Sequence, residues 1–367
     1  MAGNGAITIS TVSVEAASTV STADAEHVEL ACSLAPLGAA VGMSSPPVVV
    51  LGVSRSGTTL LKEMLDRHSE LAIPSESYFI PQLWDRHGDR PDRDSFVDDL
   101  RRLGRVREWG VPPDEVYRRL PPRPSFADAI QAVYRVYAER RGKRRFGDKT
   151  PAYMQHLPLL EHAFPGAQYV HIVRDGRDAC LSFLAMRRKP RFNWARPRGL
   201  GSCACQWALE IGRARRFGAA LGASRYLELR YEDLVADPPR WLRRTCAFLG
   251  LEFEPAMLEY HRGVDRTRLL DHPKLAEPPT PGLREWRRQM APRHVELFEA
   301  VAGPVLVAYG YERAYAAPSV AARARAAYEC GAFRARLLSW HLSLALFRRS
   351  PAWRVRQVYI RRATRAQ

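Results

Sequence analysis

Apolar positions along this chain come in short runs that change period abruptly. Val48-Val49-Val50-Leu51, preceded by Pro46-Pro47, is β-branched and shows no polar alternation. A run of that kind predicts a strand buried on both faces of a parallel sheet. Past a stretch of small residues, Leu60, Leu61, Met64, Leu65 and His68 fall at helical spacing and predict a helix. The same change of period recurs downstream. Residues 168–173 read as a second buried strand, which Asp175-Gly176 turns into a helix running to about Met186. Tyr226-Leu227-Glu228-Leu229-Arg230 reads as a third strand entering a turn, and residues 241–249 as an amphipathic helix closed by Gly250 as C-cap.

The stretch between the first strand and its helix is Gly52-Val53-Ser54-Arg55-Ser56-Gly57-Thr58-Thr59. Its glycines allow a tight turn around an anion, and the amides at the helix start face that anion with the positive end of the helix dipole. The spacing is that of a Walker A loop, but Thr58 stands where the lysine belongs. Arg55 is the cation instead, and its planar fork suits an anion with several oxygens. Ser56, Thr58 and Thr59 add hydroxyl donors. A strand, such a loop and a helix, followed by further strand–helix units, predict an α/β fold: a P-loop-like three-layer α/β/α arrangement around a central parallel sheet.

Arg55-Ser56-Gly57-Thr58-Thr59 after a strand resembles the 5′-phosphosulfate loop of sulfotransferases that use 3′-phosphoadenosine 5′-phosphosulfate (PAPS). That donor carries a 3′-phosphate and needs a second anion site. Arg174 at a strand end, with Ser182 two helical turns on, resembles the family's 3′-phosphate motif. Arg145-Phe146-Gly147-Asp148-Lys149-Thr150-Pro151 resembles its lysine-bearing segment, and Arg230-Tyr231-Glu232-Asp233-Leu234 its Arg-Tyr-Glu-x-Leu element. Residues 52–81 are closest to tyrosylprotein sulfotransferases and their bacterial relatives. The resemblance implies PAPS as donor and adenosine 3′,5′-bisphosphate as product. It places Arg55, Ser56, Gly57, Thr58, Thr59, Arg174, Ser182 and Tyr231 at the donor. Two family features lack clean counterparts: the arginine four residues past the 3′-site serine is Met186 here, next to Arg187, and the late lysine before a proline has Lys274 as its nearest substitute.

Sulfuryl transfer to a hydroxyl needs a base and cations on the migrating group. Glu76 is a lone carboxylate among apolar and hydroxyl residues, surroundings expected to raise its pKa. In the resemblance it takes the family's catalytic glutamate position, with Arg55 and Lys149 as the cations and the amides of Gly57 and Thr58 assisting. His68, His87 and His171 are rival bases: His68 reads as a helix-end residue and His171 as a buried strand residue. The chemistry requires no metal, and neither paired zinc knuckles nor His-Glu-x-x-His occurs. The rival readings are a P-loop kinase or other nucleotide phosphotransferase, and a basic adaptor that binds membrane or nucleic acid.

The 367 residues carry a formal charge of +17, more than one nucleotide calls for. Much of the surplus lies past Ser319, where eleven arginines face the single acid Glu329. That region reads as an amphipathic helix whose apolar run 337–347 is too short to span a bilayer. Peripheral contact with an anionic membrane is one use for it and packing on the core another; no recognised nucleic-acid motif accompanies the arginines, so no nucleic acid is expected. Residues 1–45 lack lysine and arginine and read as a disordered extension, with Met43 as an alternative start. The expected organisation is therefore an extension (1–45), a sulfotransferase domain (46–315) and a basic helical extension (316–367). Residues 82–145 read as an insertion of short helices over the acceptor pocket. Cys203-x-Cys205 suggests reduced thiols, and the chain is expected in the cytoplasm, peripheral at the inner membrane face at most. The acceptor is left open among carbohydrate, lipid, phenolic metabolite and peptide hydroxyls.

Overall fold

The computed structural model describes residues 45–188, 197, 199–263, 273–280, 282 and 285–348. The expected extension 1–45, apart from its last residue, Met43 and the chain past Arg348 lie outside them. Five parallel strands form one sheet: β1 (Val48–Leu51), β2 (Leu71–Ala72), β3 (Arg145–Asp148), β4 (Gln168–Val173) and β5 (Tyr226–Arg230). Their order is β2-β3-β1-β4-β5. The chain leaves β1 toward one edge, returns past it and continues to the other edge. Ligands in open α/β sheets bind beyond the strand ends at such a reversal.

Helices α1 (Thr58–Asp66), α2 (Ile80–His87), α3 (Arg93–Arg102), α4 (Gly104–Glu108), α5 (Pro113–Arg119), α6 (Phe126–Glu139), α7 (Leu157–Ala163), α8 (Gly176–Arg187), α9 (Leu200–Leu221), α10 (Tyr231–Ala236) and α11 (Pro238–Leu249) connect and cover the strands. The uninterrupted apolar run of β1 is explained by what lies on either side of it. Val48 and Val50 pack with Leu61, Met64 and Leu65 of α1 and Leu242 and Leu249 of α11. Val49 and Leu51 belong to the opposite core, with Tyr134 of α6, Leu160 of α7, Trp207 of α9 and Phe298. Sheet residues thus alternate between two helical layers, which makes the architecture three-layered α/β/α.

Two of the five strands are not visible as apolar runs. β2 has two residues, and β3 is flanked by Arg145 and Asp148, both buried. Arg145 is tolerated there because its guanidinium donates to the carbonyls of Pro46 and Leu249 and to Gln168 Oε1. Gly147 lets β3 approach β1, since a Cβ there would lie 2.5 Å from the Val48 carbonyl oxygen. α11 ends as expected at Gly250, whose left-handed φ of 68° suits glycine.

The segment 82–145 holds most of α2, then α3 to α6, and packs into the core on the α6 side through Leu83, Phe96, Val97 and Val116. At the other end, the helix Val320–Arg348 lies against α9. A disulfide joins Cys205 to Cys330, Arg336 donates to Ser202 Oγ at 3.2 Å, and Glu329 covers Gly201. This corrects the expectation of reduced thiols for Cys205: its partner lies 125 residues away, a pairing that spacing alone does not reveal. Cys203 remains a free, buried thiol. Among the described residues no helix is long and apolar enough to cross a membrane.

Candidate active site

The loop after β1 is held from beneath by the segment after β5. Gly57, at the N-cap of α1, has φ 93°, and a Cβ there would lie 2.3 Å from the ring of Tyr231. Only glycine fits both the conformation and the contact. The Arg174 guanidinium lies over the same ring, 4.4 Å from its centroid. Burial raises the Tyr231 phenol above its ordinary range against the opposing pull of Arg174. Glu232, the next residue, accepts the Asp175 amide at 3.0 Å and the Tyr311 hydroxyl at 2.8 Å. The Arg-Tyr-Glu element therefore supports both the loop after β1 and the turn after β4 at once.

Arg55 also has a left-handed backbone, φ 75°, and its Nε donates to Ser182 Oγ at 3.1 Å. Arg174 in turn donates to the Arg55 carbonyl at 3.4 Å. The expected 5′ loop and 3′ cluster are thus one connected group in which Arg55 is the link. Two donors at its centre, Ser56 Oγ and Arg174 Nε, are buried with no hydrogen-bond partner among the described residues. A buried polar group left unpaired costs about 1–3 kcal/mol. An anion carrying several oxygens fits that arrangement, because it would satisfy both donors and the first amides of α1, which no side chain caps.

Glu76 lies on the other side of the loop. Lys149 Nζ is 2.7 Å from Glu76 Oε1 and 3.3 Å from Thr59 Oγ1. The Tyr78 hydroxyl donates to Glu76 Oε2. Glu76 is therefore an ion-paired carboxylate, not the lone one that its neighbours in sequence suggested. Behind it, Ser77 donates to Asp148 Oδ2 at 2.9 Å and meets the Tyr153 hydroxyl at 2.7 Å, while Tyr134 donates to the same Asp148 oxygen at 2.7 Å. Asp148 is pushed up to about 6 by burial, and these hydrogen bonds hold it from rising further. This network clamps Ser77 and Lys149, the neighbours of Glu76 and Asp148, onto one scaffold. From the insertion, Trp109 Nε1 reaches Ser75 Oγ at 2.8 Å.

The rival histidines are engaged elsewhere. His68 bonds the Glu252 carbonyl at 2.8 Å, His87 lies 3.0 Å from Asp99, and His171 lies 3.0 Å from Glu228 and 2.7 Å from the Tyr226 hydroxyl. Lys274 pairs with Glu277 at the surface. Trp286 is buried under Arg177, which is itself buried and ion-paired with Asp175 and Glu299, both at 2.7 Å. Arg177 with its two carboxylates is thus an internal strut, and breaking such a buried pair costs about 3–5 kcal/mol. Asp175, Arg177 and the Asp148 network are not legible in the sequence as site supports, because Glu232, Glu299, Ser77 and Tyr134, which complete them, come from other segments.

The profile of the Sulfotransferase family matches residues 46–255, more than half of the chain. Protein-tyrosine sulfotransferase 1 of Danio rerio is 27% identical over 285 residues, which cover 73% of this chain and 72% of that one. Protein-tyrosine sulfotransferase A of Caenorhabditis elegans is 25% identical over 223 residues, 61% of this chain and 54% of that one. Among solved structures, the sulfotransferase domain of the Synechococcus PCC 7002 olefin synthase superposes with a TM-score of 0.52 at 24% identity, covering 73% of this chain and 95% of that domain. The sulfotransferase domain from the curacin biosynthetic pathway gives 0.52 at 22% identity, covering 73% and 99%. The chain belongs to the sulfotransferase family.

Proposed function

We propose that this sulfotransferase takes its sulfuryl group from PAPS and passes it in line to an acceptor hydroxyl, with Glu76 as general base. The observation that carries this reading is the chain Thr59–Lys149–Glu76, which connects a carboxylate to the anion loop through one cation. Bound PAPS supplies the activated sulfuryl group. Arg174 and Ser182 would hold its 3′-phosphate, and Ser56, Gly57, Thr58 and Thr59 its 5′ end, with Tyr231 supporting the loop at Gly57. Arg55, bonded to Ser182, stands between the two anion positions and contributes positive charge to both. Glu76 accepts the acceptor's proton through a carboxylate oxygen, while Lys149 counters the negative charge that gathers on the bridging oxygen.

Glu76→Gln tests the base. Turnover should vanish while affinity for adenosine 3′,5′-bisphosphate stays near wild type; full activity in the variant refutes the assignment. The donor is tested by thermal shift. Adenosine 3′,5′-bisphosphate should stabilise the protein more than ATP with magnesium does, and the reverse order overturns the donor. A panel of carbohydrate, lipid, phenolic and peptide hydroxyls with labelled PAPS then identifies the acceptor.

The C-terminal helix supports a second role, contact with an anionic membrane surface. Tyr328, Leu338 and Leu342 are exposed and fall on one face of the helix. Arg323 and Arg334 flank that face on one side, and Arg325 and Arg336 on the other. Apolar groups between two rows of arginines match the layered chemistry of acyl chains and anionic headgroups. A second copy of the same helix would oppose arginine to arginine.

A further inference from the structure

We propose that Tyr78 occupies the position of the acceptor hydroxyl and is itself a sulfation site of this enzyme. The inference rests on Glu76 being the general base. An acceptor must place its hydroxyl on a free oxygen of that base, within reach of the cation that steadies the sulfuryl group. Tyr78 does the first now: its hydroxyl donates to Glu76 Oε2, while Lys149 holds Oε1 and reaches the loop at Thr59.

Two further features separate Tyr78 from a packing tyrosine. The residue is 46% exposed, whereas Tyr134 and Tyr153 nearby are buried. Its backbone is left-handed, φ 57°, a conformation that costs a non-glycine residue about 1 kcal/mol or more. The polar bond gained in return is the one to Glu76. A phenol is also the most acidic hydroxyl a protein carries, with an ordinary pKa of about 10, so it needs the least help from a carboxylate base.

The step balances without a further reactant. Glu76 takes the phenolic proton, and Tyr78 Oη forms a bond to sulfur. The bond between sulfur and the bridging oxygen of the 5′-phosphate breaks, and its electron pair stays on that oxygen. The products are a tyrosine O-sulfate at position 78 and adenosine 3′,5′-bisphosphate. The sulfated ring no longer donates to Glu76. It follows that the acceptor position admits a phenol, and that a free phenolic acceptor competes with Tyr78.

The full-length protein is incubated with PAPS and no added acceptor, and digested with trypsin. The peptide 68–86 contains Tyr78 as its one tyrosine. One sulfuryl group should appear on it, located at Tyr78 by fragmentation, at a rate that does not change as the protein is diluted. Tyr78→Phe should abolish labelling of this peptide, and Glu76→Gln should slow it at least about 100-fold. An unmodified peptide from protein that binds adenosine 3′,5′-bisphosphate overturns self-sulfation and leaves the donor reading standing. Failure to bind the bisphosphate overturns both. Labelling that scales with protein concentration makes one molecule the ordinary substrate of another and overturns transfer within the chain.

Discussion

Lys149 Nζ stands 2.7 Å from Glu76 Oε1 and 3.3 Å from Thr59 Oγ1, so a single buried ammonium spans the gap between a carboxylate and the anion loop. The two partners are 73 and 90 residues away in sequence. Strand β3 brings them together, because Lys149 follows it directly and β3 lies beside β1, from which the loop springs.

Replacing Lys149 by alanine should therefore lower kcat by about 10²–10³-fold, the usual effect of removing one charge-stabilising donor. The KM for PAPS should change far less, because in the proposed reading Arg174 and the loop, not Lys149, hold the phosphates. Steady-state kinetics over a range of PAPS concentrations separate the two effects. A rise in KM at unchanged kcat contradicts this role.

Arg174→Ala acts on binding. Arg174 stacks on Tyr231 and donates to the Arg55 carbonyl, and in the proposed reading it adds its charge to the 3′-phosphate site. Affinity for adenosine 3′,5′-bisphosphate should fall by about 2–4 kcal/mol. Arg174→Lys should recover little, because an ammonium does not reproduce the fork that stacks on the ring. Isothermal titration measures both.

Asp148 makes stability depend on pH. Its carboxyl stands at about 6 in the fold against an ordinary 3.8, so the folded state holds a proton that the unfolded chain releases between these values. This contribution is present in full below about pH 4 and is lost as pH rises through about 6. Asp148→Asn cannot ionise. Relative to wild type, the variant should gain up to about 3 kcal/mol in unfolding free energy between about pH 4 and about pH 7. Denaturant unfolding of both proteins across that range checks the sign, and a difference that moves the other way refutes it.

For the C-terminal helix, the intact protein should co-sediment with vesicles of phosphatidylglycerol and phosphatidylcholine and stay in solution with phosphatidylcholine alone. Salt should weaken the binding. The pair Leu338→Asp and Leu342→Asp should abolish it without affecting bisphosphate affinity. Equal binding to neutral vesicles contradicts the role of the arginines.

Local sequence determined what depends on neighbours along the chain. The buried strand Val48–Leu51, its turn into α1, the repeat of that change at Asp175-Gly176, and the C-cap at Gly250 follow from period, branching and the backbone freedom of glycine. The order and residue types of the motifs, with the family resemblance they carry, mark Arg55, Lys149, Arg174 and Glu76 as groups suited to anions and protons. Only the tertiary structure decided how those groups meet. It added β2 and β3, whose two residues and charged ends carry no apolar period, and it placed Tyr231 under Gly57, Arg55 on Ser182 and Tyr78 on Glu76. It also paired Cys205 with Cys330 across the chain. The physical reason is the same in each case. Periodicity reports which face of an element is buried, but a hydrogen bond, an ion pair or a disulfide between distant segments depends on strand order, and strand order is set by how the two helical layers close over the sheet.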